Sequence, residues 1–302
     1  MLLLRKIYFY VAWLFVKSVG IQFISQKIMG VNIFLDTKTP GISKTLFVER
    51  EREIDMLQII KDFMPRDAVV LDCGSNIGIY PALIASLLND GGKIYSIEPD
   101  SRNWKVLKKN LEKIRRDGAE IDFWPVALSS ESKRVKFSQS RASNLSFVLG
   151  DEVGADGKEI VEVEALSFSD LVREKGCEGI NFIRMDVEGH EIEIFEGMLS
   201  YIGSVDSIQI LFETHGPLYE SDRARNALAK LVDSGLKPKL LVSAGSVQPL
   251  QFARKQVEPD TSMASDGFER GWYYDLDIND AIELIVSSPK CVRYCLLQKG
   301  VS

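Results

Sequence analysis

Ala68-Val-Val-Leu-Asp-Cys-Gly-Ser-Asn-Ile-Gly-Ile-Tyr80 is the stretch that decides the fold. Ala68 to Leu71 is a short apolar run, the pattern of a buried strand, and Asp72 stands at its end. Gly74, Asn76 and Gly78 permit a tight turn, and Ile77 to Leu88 reads as a helix. A strand, a glycine-bearing turn and a helix N-terminus bring backbone N–H groups close to a ligand. Glu98 closes the next apolar strand, Lys93 to Glu98, where an acid completes a nucleotide site.

Outward from this unit the chain continues as alternating strands and helices. Arg102 to Arg115 reads as a helix and Glu120 to Trp124 as a third strand. The order β-α-β-α-β implies a parallel sheet with right-handed crossovers. Arg134 to Gln139 and Glu159 to Ala165 alternate as an inserted β-hairpin, with Ser143 and Asn144 in a loop that can line a pocket. Ser167 to Lys175 is a helix with Ser167 at its N-cap. Asn181 to Asp186 is strand four, Ile192 to Leu199 a helix and Ser207 to Glu213 strand five. Ala224 to Ser234 and Asn279 to Val286 read as helices, and Lys239 to Val242 and Val292 to Gln298 as late strands. Residues 244 to 272 carry no clear pattern.

Upstream, Glu49 to Met64 reads as one helix ending at Pro65, and residues 31 to 48 as an irregular or β segment. Ile7 to Val16 is apolar throughout and follows Arg5-Lys6. The run is shorter than the ~20 residues that span a bilayer, and no Ala-x-Ala-like cleavage site follows it. A helix on the membrane surface, a helix packed on the protein and a partner interface are the readings. The division is therefore an apolar extension over residues 1–48, with membrane contact through residues 1–30, and one α/β domain over 49–302.

The net charge of −6 speaks against a nucleic-acid partner, and the basic run Lys105 to Arg116 reads as a solvated helix face. The four cysteines, Cys73, Cys177, Cys291 and Cys295, form no Cys-x-x-Cys pair, which favours a reducing, cytoplasmic setting and no zinc site.

The turn after strand one is Asp72-x-Gly74-x-Asn76-x-Gly78, not the Gly-x-Gly-x-x-Gly of a dinucleotide fold. A carboxylate there would repel a pyrophosphate and suit an ammonium-bearing cofactor without phosphate. S-adenosylmethionine fits, with Glu98 on its ribose hydroxyls. A turn with no ligand, and a dinucleotide oxidoreductase, are the competing readings.

Val70 to Tyr80, Ile97-Glu-Pro99, Ile183-Arg-Met-Asp-Val-Glu-Gly-His-Glu191 and Leu211-Phe-Glu-Thr-His215 together resemble the FkbM family of S-adenosylmethionine-dependent methyltransferases, over roughly residues 50 to 240. The resemblance implies a class I methyltransferase (Rossmann-like) fold. This is a mostly parallel seven-stranded sheet, order 3-2-1-4-5-7-6, with helices on both faces. It implies methyl transfer to oxygen, often a sugar hydroxyl of a glycan, glycolipid or natural product. Carried onto this chain, Asp72, Gly74, Ser75, Asn76 and Gly78 border the cofactor, and Glu98 holds the ribose. Pro99 fixes the next turn, Asn103 stands nearby, and Ala127 lies by the adenine.

Ligands of open α/β sheets bind beyond the carboxyl ends of the strands. Those ends carry Asp72, Glu98, Asp186 and Glu213, and both histidines of the chain, His190 and His215, follow strands four and five. A neutral hydroxyl acceptor needs a base or a metal. A histidine or carboxylate base among Asp186, Glu213, His190 and His215 is the favoured reading. A divalent ion on Asp186, Glu213 and His215 is the alternative. A non-catalytic scaffold of the same fold is the remaining competitor.

Overall fold

The computed structural model describes residues 2–38, 41–89, 92–140, 146–148 and 159–301. The chain opens with helix α1 (Leu2–Ser18), the hairpin β1 (Phe23–Ile28) and β2 (Val31–Asp36), and helices α2 (Ile42–Glu49) and α3 (Ile54–Phe63). The α/β core follows: β3 (Val69–Cys73), α4 (Ile79–Ala85), β4 (Lys93–Ile97), α5 (Ser101–Arg116) and β5 (Glu120–Trp124). Next come β6 (Ala127–Ser129), β7 (Lys133–Gln139), β8 (Phe147–Val148) and β9 (Glu159–Ser167). After α6 (Phe168–Lys175) the core resumes with β10 (Phe182–Met185), α7 (Glu191–Ser204), β11 (Ile208–Glu213) and α8 (Ser221–Asp233). It ends with β12 (Lys237–Ser243), α9 (Leu250–Arg254), β13 (Thr261–Ser265), β14 (Phe268–Tyr274), α10 (Ile278–Ile285) and β15 (Val292–Lys299).

The large sheet runs β13-β14-β12-β15-β11-β10-β3-β4-β5. From β5 inward, its first seven strands run in the expected order. The sheet has nine strands rather than seven, and it is mixed rather than mostly parallel. Pairings from β5 to β11 are parallel. Those from β11 through β15, β12 and β14 to β13 are antiparallel. The two additional strands come from the region without a clear pattern. Asp266 and Gly267 both adopt positive φ between β13 and β14, and an Asp-Gly pair favours such a two-residue turn. Ser167 caps α6, its hydroxyl accepting from the Asp170 N–H. The inserted hairpin is β7 against β9, antiparallel, within a small sheet of order β6-β9-β7-β8.

Alternation along the strands sends side chains to opposite faces. Leu71 and Ile183 join one hydrophobic cluster with α6, α7, α8 and α10. Val70 and Phe182 join the other with α3, α4 and α5. Trp13, Ile28, Ile33, Leu46 and Phe47 belong to this second cluster, so the first 48 residues share a core with the sheet. The expected boundary at residue 48 falls inside α2.

The single helix expected over Glu49 to Met64 is two helices. Arg50 and Glu53 between them take left-handed conformations, with φ of 69° and 51°. Tertiary contacts override helix propensity here. The Glu53 N–H donates to the Asp266 carboxylate, and the Glu53 carboxylate accepts from the Tyr80 hydroxyl at 2.7 Å. No helix among the described residues is long and apolar enough to cross a membrane. The four cysteines are buried and free.

Candidate active site

One cavity of about 380 Å³ opens at the carboxyl ends of β3, β4, β10 and β11, within the ~300–1,000 Å³ typical of small-molecule sites. Gly74, Ser75, Asn76, Glu98, Pro99 and Ala127 line one part; Asp186, His190, Glu213 and His215 line another. Ser143 and Asn144 lie outside the described residues.

The turn after β3 is built from its own hydrogen bonds. The Gly74 and Ser75 N–H groups both donate to the Ile97 carbonyl at 3.0 Å, and the Gly78 N–H donates to the Ser75 carbonyl. The Asn76 N–H donates to Glu98 Oε2 at 2.7 Å. Three of the four N–H groups are taken by the end of β4 and one by the turn itself, leaving none of them for a phosphate. At Gly74, φ is 83°, and a Cβ would stand 2.0 Å from the Asp186 carbonyl oxygen. Only glycine lets strand ends β3 and β10 meet this closely.

Glu98 Oε1 accepts from the Asp100 N–H at 2.8 Å, so two backbone donors hold its carboxylate against the cavity. Burial pushes its pKa up to about 7 against the pull of those donors. Asn76 Oδ1 is buried in the same wall without a hydrogen-bond partner.

Three expected cofactor contacts do not line the cavity. Asp72 is wholly buried beneath the turn, where its carboxylate accepts from the Ser75 hydroxyl and pairs with Arg184 at 3.3 Å. It cannot meet a cofactor ammonium from there; it holds the turn. Gly78 faces Leu107 and Asn110 of α5, where its lack of a Cβ permits close packing. Asn103 is buried on α5, beside Glu98.

The second half of the cavity sorts its titratable groups. Burial pushes Asp186 up to about 7, although Arg184 donates to it at 2.8 Å, while Glu213 and Glu188 reinforce the rise. Burial also opposes charge on Glu213, yet Arg293 and Lys290 hold it down at about 2, with Lys290 donating at 2.9 Å. Burial opposes the imidazolium of His215, but Glu191 at 2.9 Å and Glu188 at 3.5 Å raise its pKa to about 11. His190 is lowered by burial and lies 3.1 Å from the Ser129 hydroxyl. At neutral pH His215 therefore carries its proton, Glu213 is ionised and committed to cations, and Asp186 sits near its titration point. One oxygen or nitrogen from each of Asp186, Glu188 and His215 lies within 4.8 Å of the others.

Several lining residues went unassigned in the sequence reading. Arg184 joins Asp72 to Asp186 and stands 3.9 Å above the Tyr80 ring. The Ile183-Arg-Met-Asp block contains it, but a cation inside an apolar strand has no spacing signal. Glu53, Arg293 and Lys290 reach the cavity from distant parts of the chain. Met29, Ile42 and Leu46 bring the N-terminal segment to the same wall.

A strand-end cavity with an acid just beyond β4 and a carboxylate just beyond β10 is the ligand position of an open α/β sheet. The Methyltransferase FkbM domain matches residues 72–234. The chain belongs to the FkbM methyltransferase family. Hexuronic acid methyltransferase AglP of Haloferax volcanii is 27% identical over 171 residues, 56% of this chain and 65% of that protein. The chain thus spans just under two-thirds of that relative. Among solved structures, methyltransferase FkbM from Methylobacillus flagellatus aligns with TM-score 0.43 and 14% identity, covering 84% of this chain and 52% of that one. TYW2 of M. jannaschii in complex with AdoMet aligns with TM-score 0.41 and 12% identity, covering 93% and 87%.

Proposed function

We propose that the protein is an S-adenosylmethionine-dependent O-methyltransferase acting on a sugar hydroxyl of a glycan, glycolipid or natural product. The observation that carries this reading is the pairing, in one cavity, of Glu98 in a turn without phosphate donors and Asp186 poised near pH 7. Glu98 would hold the ribose hydroxyls, and Asn76 Oδ1, buried and unpartnered, has an accepting position to offer beside it. Bound there, S-adenosylmethionine supplies a methyl group on a sulfonium, open to displacement by an oxygen nucleophile. Asp186 takes the acceptor's proton as the new oxygen–carbon bond forms. Arg184 orients that carboxylate by its 2.8 Å hydrogen bond. His215, held protonated between Glu188 and Glu191, donates and positions rather than accepts. The name of the Haloferax relative supports a sugar acceptor. Hydroxyls would find mixed donors and acceptors in Arg52, Glu53, Lys290 and Arg293 at the cavity wall. A dinucleotide oxidoreductase is disfavoured because the Gly74, Ser75 and Asn76 N–H groups already donate to Ile97 and Glu98.

Asp186→Asn should bind S-adenosylhomocysteine as the wild type does while methyl transfer falls by about 10²–10⁴-fold. Calorimetry beside a turnover assay over sugar and lipid-linked acceptors checks this; equal loss of binding would refute the division of roles.

A second reading follows from the closeness of Asp186, Glu188 and His215, a set that suits a divalent ion. We favour the metal-free base because Asp186 is already engaged by Arg184 at 2.8 Å and His215 by Glu191 at 2.9 Å. Turnover should survive dialysis against EDTA; loss restored by magnesium or manganese would reverse the choice.

A further inference from the structure

Helix α1 is apolar on two faces. Phe9, Ala12, Trp13 and Val16 turn toward the protein, with the Trp13 and Phe9 rings 5.4 and 5.9 Å from that of Phe47 on α2. Leu4, Ile7, Tyr8, Val11, Leu14 and Phe15 lie exposed, in a stripe at helical spacing. Exposure there reaches 72% at Leu4 and 65% at Phe15. Val19 and Ile21 extend the apolar surface past the helix end. A continuous apolar face of this kind marks an interaction surface.

The charge around it says what covers it. Residues 1–48 hold six lysines and arginines and one acid, in a chain of net charge −6. Residues 1–35 hold four cations and no acid, so two copies pairing by this segment would bring like charges together. On α1 itself Lys6 pairs with Glu49 of α2 at 3.2 Å, and Arg5 and Lys17 are its other cations; Lys105 and Lys109 of α5 stand 5.3 and 5.8 Å from the Phe23 ring of β1. No helix among the described residues is long and apolar enough to cross a membrane, and an apolar stripe bearing aromatics, in a segment rich in cations, suits the plane of an anionic bilayer surface.

We propose that the exposed stripe of α1 docks on an anionic lipid bilayer and holds the active-site cavity at its surface. The link is short: on α2, Phe47 carries α1 and the preceding residue, Leu46, lines the cavity. An acceptor sugar carried on a lipid headgroup is then the natural substrate class, a clause that rests on the methyl-transfer reading; the docking itself does not.

The test is flotation of the full chain with vesicles. Wild type should float with phosphatidylcholine–phosphatidylglycerol vesicles, less in high salt and less with phosphatidylcholine alone. The double variant Val11→Glu/Phe15→Glu should float at least about tenfold less, with unchanged circular dichroism and thermal midpoint. Wild type remaining unfloated, or floating equally with uncharged vesicles, would overturn the proposal. So would a dimer in sedimentation that the double variant loses, because a second copy would then be the occupant. Flotation needs neither cofactor nor acceptor, so its failure is distinct from failure of the methyl-transfer reading.

Discussion

Three carboxylates at the strand ends share a cavity and differ in what they can do. Glu213 is neutralised by Arg293 and Lys290, Glu98 is held by backbone donors, and Asp186 has one cation and three like charges, Glu213, Glu188 and Glu53, near it. Glu98 also rises to about 7, but both its oxygens accept from backbone N–H groups, which leaves Asp186 as the strand-end carboxylate with an oxygen to offer an acceptor's proton. Its raised pKa sets the pH profile: below about 7 the carboxyl is protonated and cannot accept the acceptor's proton, and above about 7 it is ionised. Turnover should therefore rise through pH 7 with a limiting slope of one, and the rise should vanish in Asp186→Asn. A flat profile from pH 5.5 to 8.5, read as kcat/KM for the acceptor, would contradict this. Both histidines were legible as site residues from their positions after strands four and five. Which of the four candidates accepts a proton was not, because it depends on Arg184, Arg293 and Lys290, which reach the site by folding and not by spacing.

At the scale of elements, regular periodicity was easy to read and tertiary punctuation was not. The β3 turn and α5 came from local pattern alone. The break between α2 and α3 did not, because Glu53 is pulled into a left-handed conformation by Asp266 and Tyr80, which are remote in sequence. The β13–β14 hairpin was missed although Asp266-Gly267 is a strong turn signal, since Thr261 to Ser265 is too polar and exposed for a strand pattern. Its anchor is a buried pair: Arg270 stands 3.2 Å from Asp55 of α3, both nearly inaccessible, and the Ser265 hydroxyl donates to the same carboxylate. Removing one partner leaves a buried charge uncompensated. Arg270→Met should cost about 3–5 kcal/mol of unfolding free energy, with the loss smaller when Asp55→Asn is combined with it. Urea unfolding of the three proteins reads this directly; an Arg270→Met variant as stable as wild type would show that the pair does not anchor the hairpin.

Across the whole molecule, the cavity is assembled from segments far apart in sequence. The family match begins at Asp72, yet Glu53, Ile42 and Leu46 before it and Lys290 and Arg293 after it complete the cavity. The strand-end turn at the cavity was legible because a strand, a turn and an acid recur within a short span there. The N-terminal segment had several fates in sequence because an all-apolar helix looks alike whether packed or exposed. In the fold α1 is packed on one side and bare on the other. The account as a whole rests on the turn between β3 and α4 holding a cofactor without phosphates. Isothermal titration of the full chain with S-adenosylhomocysteine and with NAD, repeated on Glu98→Ala, tests that claim. We expect S-adenosylhomocysteine to bind, NAD not to bind, and Glu98→Ala to weaken the former by about 10–100-fold. Binding of NAD in place of S-adenosylhomocysteine, or full affinity in Glu98→Ala, would contradict it.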